Sequence, residues 1–94
     1  MQPDRTLDYY LQQTLRRFER GEVVDEMRVE NAYRRLAGDF ICRFTTSILY
    51  SRGTLSLRIA AAALRHEMFV RRENLRRRIN DELGAEVVRR IIIR

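Results

Sequence analysis

The sequence predicts an α+β domain in the order helix-helix-strand-strand-helix-strand, with a three-stranded mixed sheet and helices packed on one face. Three observations predict it. Residues 45–59 hold two short β-rich runs around "SRG". The segments on either side of them carry apolar residues at helical spacing. The final run, "EVVRRIIIR", is short and β-branched. At 94 residues the chain is expected to form one domain, 1–94, able to bury a core without a disulfide or metal.

The first helix is expected to start near Thr6, capped by Asp4 or Thr6, and to stop at Gly21. Leu7, Tyr10, Leu11, Leu15 and Phe18 recur on one side of it, while Tyr9 falls off that stripe. A second helix is expected from about Val23 to Ala37, with the stripe Val29, Ala32, Tyr33, Leu36 and an end at Gly38. "GDFICRF" reads as a short helical turn leading into a strand. "TTSILY" and "TLSLRI" then form a hairpin, with Gly53 free to take the positive φ that a tight loop demands. Leu55, Leu57 and Ile59 alternate with Thr54, Ser56 and Arg58, so one face is buried and the other polar. Ile48 and Tyr50 join the buried face and Leu49 points away. In the helical region that follows, Ala61, Leu64, Met68, Leu75 and Ile79 share one sector, but so does Arg72. Burying an unpaired guanidinium is costly, so a break is expected between Val70 and Glu73, giving helices 61–71 and 73–83. Gly84 is a C-terminal cap, and "EVVRRIIIR" is the third strand.

Composition narrows the function. The longest apolar run, Ile59 to Leu64, falls far short of the ~20 residues of a membrane span. The start lacks a signal-peptide core, and the expected compartment is the cytoplasm. All 19 basic residues are arginine, which codon preference accounts for more readily than function. Their placement is another matter. Residues 1–47 hold eight arginines and eight acids, whereas residues 48–94 hold eleven arginines and five acids, so the whole net charge of +6 lies in the second half. A one-sided cationic surface attracts polyanions. The densest stretch is "LRHEMFVRRENLRRRIN", residues 64–80.

Catalytic chemistry is not expected. His66 is the only histidine and reads as a solvated or capping residue, and the single Cys42 reads as a small core residue. Together they are too few for zinc. The glycines at 21, 38, 53 and 84 form no phosphate-binding loop. Asp25–Glu26 and Asp81–Glu82 are adjacent pairs, which diverge on a helix and more naturally oppose nearby arginines. No catalytic residue, metal, cofactor or small-molecule substrate is expected.

The run "GTLSLRIAAAALRHEM…LRRRINDELGAEVVRRIIIR" resembles the DciA family, bacterial proteins associated with the replicative helicase. The family pattern falls here on Tyr33 and Gly38, Thr45 and Thr46, then Gly53, Leu55 and Leu57. It continues through Glu67–Met68, Ile79–Asn80, Leu83–Gly84 and Ile91 to Ile93. Each motif is weak alone; their order and spacing over nearly the whole chain carry the likeness. Tyr33 stands where tryptophan is usual, and Ala60 to Ala63 replace the usual serines. Many members carry a long basic extension or a zinc ribbon, and neither is expected here, the ribbon being excluded by the single cysteine. The resemblance implies a KH-like fold, with which the helix–strand order is compatible. It has no GxxG, so the KH clamp on a nucleic-acid backbone is not assumed.

Charge and resemblance together imply a non-catalytic DNA-replication accessory, which binds single-stranded DNA and contacts the replicative helicase to assist its loading. Arg65, Arg71, Arg76, Arg77 and Arg78 would supply phosphate contacts, with Arg89 and Arg90 as additions at the end of the sheet. About six such contacts to a single strand give a log–log salt slope of about −4. Two alternatives stay open: a KH-like RNA-binding module, and a protein-interaction domain that docks its arginine helix on an acidic partner. No membrane partner is expected.

Overall fold

A computed structural model describes residues 3–94. In chain order it contains α1 (Pro3–Glu19), α2 (Glu22–Phe44), β1 (Thr45–Ser51), β2 (Thr54–Ile59), α3 (Ala62–Val70), α4 (Arg72–Leu83) and β3 (Arg90–Ile93). The sheet order is β1-β2-β3. β1 and β2 pair antiparallel, whereas β2 and β3 pair parallel. This is the mixed sheet expected, because a hairpin reverses the chain and a helical crossover does not.

The hairpin forms where the sequence placed it. Arg52 and Gly53 are its two loop residues, at φ 47° and 87°. Two successive positive φ angles give the loop the twist that matches its strands. Gly53 also has a steric reason to lack a side chain: a Cβ there would lie 3.1 Å from Cδ of Arg89. At the other end, a bulge between Thr45 and Ser47 shifts the register.

Alternation then sorts the two faces. Leu55, Leu57 and Ile59 of β2 and Ile91 of β3 enter the core, together with Val29, Ala32 and Tyr33 of α2, Met68 of α3, Ile79 of α4 and Val88. Ile48 and Tyr50 pack against this cluster. Each fully buried Leu or Ile contributes about 2 kcal/mol. Tyr33 brings a hydroxyl into the core and satisfies it. Thr45 Oγ1 donates to the Ile41 carbonyl at 2.9 Å, so Tyr33 donates to Thr45 Oγ1, also at 2.9 Å. Burial raises the Tyr33 phenol above the ordinary tyrosine value.

Three boundaries and the burial of one helix face differ from those predicted. α1 begins at Pro3, so Asp4 and Thr6 lie within the helix rather than at its cap. Its stripe is not core: Leu7, Tyr10, Leu11, Leu15 and Phe18 are 51–62% exposed. The reason is position, since α2, α3 and α4 pack on the sheet while α1 packs on α2. α2 does not end at Gly38. That glycine takes φ 81°, ψ 172°, kinks the helix, and the helix resumes to Phe44. The predicted third strand shortens to Arg90–Ile93, because Val87 and Val88 are held by a side chain instead of a ladder.

The break before Glu73 is present, at Arg71 between α3 and α4. Arg72 starts α4 half-buried. Its guanidinium donates to the Phe69 carbonyl at 2.8 Å and stacks 3.9 Å from the Phe69 ring centroid. The turn thus gives that charge both an acceptor and an aromatic face.

Candidate nucleic-acid interface

The seven arginines singled out by the sequence are not one patch. Arg65 is half-buried and donates to the Ile59 carbonyl at 2.8 Å, tying α3 to the end of β2. Arg71 is exposed and pairs with Glu67, one helical turn earlier, at 3.2 Å. Arg76 is a structural clamp. Its side chain is only 17% exposed and bonds Glu73 at 3.0 Å and Glu86 at 3.2 Å. It also reaches the Val88 carbonyl at 3.4 Å. The Glu73 hydrogen bond is the main reason its guanidinium is held even more firmly protonated than usual.

Arg77 and Arg78 are exposed and make no ion pair among the described residues. On α4, Arg77 stands opposite buried Ile79. Arg78 reaches a groove of about 420 Å³ between α2 and α3–α4, floored by Leu36, Ile41, Leu64 and Leu75 and overhung by Phe40, which is 64% exposed. Arg89 directly precedes β3 and Arg90 begins it. Both amides donate to the Gly53 carbonyl, at 2.7 and 3.2 Å, and the aliphatic stem of Arg89 covers the hairpin turn. Arg90 pairs in register with Thr54, on the side of the sheet opposite buried Leu55 and Ile91. The α4 arginines and Arg90 therefore look out from different sides of the molecule.

Three arginines were missed: Arg52, Arg58 and Arg94, all exposed. The signal for them was present in the sequence, in the acids rather than the arginines. Residues 61–86, the helical region, hold six arginines and five acids, close to neutral. Residues 45–60 and 87–94 hold five arginines and no acid at all. Almost the whole surplus belongs to the strands and the hairpin. Of these five, Arg52 lies in the field of Glu22, whose carboxyl is lowered chiefly by its hydrogen bond to Arg20 and further by Arg17 and Arg52.

No group of three or more His, Cys, Asp or Glu that could hold a metal occurs among the described residues. His66 is exposed on α3. Cys42 is half-buried rather than fully in the core, its thiol 3.8 Å from the Arg34 carbonyl. No described helix is long and apolar enough to cross a membrane.

The sequence features that carried the family likeness lie at structural joints. Tyr33 spans α2 and β1, Gly53 lets Arg89 cross the turn, and Asn80 holds the segment before β3. No curated protein matches the chain, and neither does any solved structure. The family model described as "Dna[CI] antecedent, DciA" matches residues 6–93, every element from the first turns of α1 to the end of β3, and the chain belongs to the DciA family.

Proposed function

We propose that this chain is a non-catalytic accessory of the replicative helicase, which assists its loading while holding nucleic acid through exposed arginines. Membership of the DciA family implies a helicase-loader role in replication. The observation that carries the nucleic-acid part is that four of the seven predicted arginines, Arg77, Arg78, Arg89 and Arg90, are exposed and make no ion pair among the described residues, on a domain of net charge +6. A loader gains from contacts that grip phosphate without reading sequence, because it must act wherever a strand is open. Guanidinium groups that are not already neutralised provide this at no cost of breaking internal pairs.

The test has two arms. Fluorescence anisotropy with a labelled oligothymidylate and a matched RNA, across a salt series, should show tighter binding to DNA. Four phosphate contacts give a log–log slope of about −3. In parallel, tagged protein should retain the replicative helicase from an extract of its own cells after nuclease treatment. Equal or RNA-favouring affinity together with loss of the helicase would replace this reading with that of an RNA-binding module.

A further inference from the structure

We infer that the open face of the sheet, bearing Arg58, Arg90 and Arg94, is a platform along which a single nucleic-acid strand runs. The inference rests on the proposed nucleic-acid role and adds to the α4 arginines a second surface, which carries most of the affinity.

Register fixes the layout. Ser47 pairs with Arg58, Leu49 with Ser56 and Ser51 with Thr54 across β1 and β2. Thr54 pairs with Arg90 and Ser56 with Ile92 across β2 and β3. The Arg94 amide donates to the Leu57 carbonyl at 2.9 Å and its carbonyl accepts from the Ile59 amide at 2.7 Å, which sets Arg94 beside Arg58. All these residues fall on the side opposite buried Leu55, Leu57, Ile59 and Ile91. The face is therefore a grid of three rows: Ser51, Thr54, Arg90 at the hairpin end; Leu49, Ser56, Ile92 in the middle; Ser47, Arg58, Arg94 at the far end.

The chemistry of the rows suits one ligand class. Arg58, Arg90 and Arg94 are exposed and make neither ion pairs nor side-chain hydrogen bonds among the described residues. No acidic side chain lies on any of the three strands. Two cationic rows four residues apart are separated by about 13 Å, with hydroxyls of Ser47, Ser51, Thr54 and Ser56 as further phosphate donors between and beside them. The middle row is apolar at both edges, with Leu49 65% exposed. Phosphates on the end rows and bases laid over Leu49 and Ile92 satisfy both chemistries at once. A duplex keeps its bases stacked inside and has nothing to offer the middle row. An acidic protein would match the arginines but has no regular need of two cationic rows with aliphatic groups between them. Near this face the acids Glu22, Asp25 and Glu26 share a groove with Leu49 and Ser51 at the β1 edge, away from Arg58, Arg90 and Arg94. On α4 the acids Glu73, Asp81 and Glu82 flank the arginines themselves.

The test compares two variants of the full chain. The first combines Arg58→Gln, Arg90→Gln and Arg94→Gln; the second combines Arg77→Gln and Arg78→Gln. With a labelled oligothymidylate, the sheet variant should lose about ten-fold or more in affinity, and its salt slope should shrink by about 2. The α4 variant keeps the sheet arginines and should weaken less, by about three-fold. Lysine at the three sheet positions should restore the slope, and amide shifts on adding the oligonucleotide should centre on Leu49, Ser56 and Ile92. Thermal melting separates these effects from misfolding. If the parent binds and only the α4 variant weakens, the sheet assignment is overturned while the proposed function stands. If duplex and single strand bind equally, the strand-running platform is overturned in the same way. If the parent binds no oligonucleotide even at low salt, both readings fall.

Discussion

Asn80 is the residue whose loss should do most damage for its size. Its Oδ1 accepts from the amides of Val87 at 3.0 Å and Val88 at 2.8 Å, and its Nδ2 donates to the Val88 carbonyl at 2.8 Å. One α4 side chain thereby holds the irregular segment that leads into β3, where Val88 is fully buried. Asn80→Ala removes all three bonds without adding bulk. The Val88 amide loses its acceptor, at about 1–2 kcal/mol. The Val87 amide keeps the Ala85 carbonyl at 3.0 Å and the Val88 carbonyl keeps its long contact from Arg76, so each loses under about 1 kcal/mol. The expected destabilisation is about 2 kcal/mol. For a domain of this size that lowers the melting temperature by about 8–16 °C. Thermal and urea denaturation of the parent and variant measure it directly. A loss below about 0.5 kcal/mol would show that this segment does not depend on Asn80 and refute the account of how β3 is positioned.

Other perturbations test separate joints of the fold. Gly38→Ala should cost about 1–3 kcal/mol, because φ 81°, ψ 172° belongs almost only to glycine and nothing lies within 4 Å to clash; an unchanged urea midpoint contradicts the kink. Arg76→Gln should lower the melting temperature while leaving oligonucleotide affinity unchanged, since its guanidinium is engaged by Glu73, Glu86 and Val88; a selective loss of affinity reverses that assignment. Tyr33→Phe should cost about 1 kcal/mol at pH 8 through the lost bond to Thr45. With the folded phenol raised, the Tyr33 share of stability is intact below the ordinary pKa of about 10 and falls as pH climbs through the folded value. The variant should therefore lose less stability than the parent above pH 10, and parallel curves would refute the burial effect.

Legibility in the sequence followed the locality of the physics. The hairpin and the break before Glu73 were readable because a glycine in a tight loop and an arginine in an apolar sector each impose a local requirement. Gly38 misled as a stop, since glycine permits a kink as readily as an end and only tertiary packing selects between them. The α1 stripe had the right period for a core face, but periodicity does not say whether a partner is present. Val87 and Val88 read as strand by composition, yet their hydrogen bonds go to Asn80, a long-range contact that propensity does not register. For the candidate interface, the density of arginine between residues 64 and 80 drew attention to the element where acids interleave them. Arg58 and Arg94, isolated in the sequence, become neighbours only once β3 lies parallel to β2.

That parallel pairing also gives the domain an order of assembly. β1 meets β2 across a two-residue loop, whereas the chain between Thr54 and Arg90 runs through α3 and α4. Closing the longer loop costs more chain entropy before any contact repays it, so the hairpin should form early and β3 dock last. A polyanion that bridges β2 and β3 would then favour the docked form by mass action, and hydrogen exchange at Ile91 to Ile93 should slow when it is added. Partner capture and completion of the fold become one equilibrium.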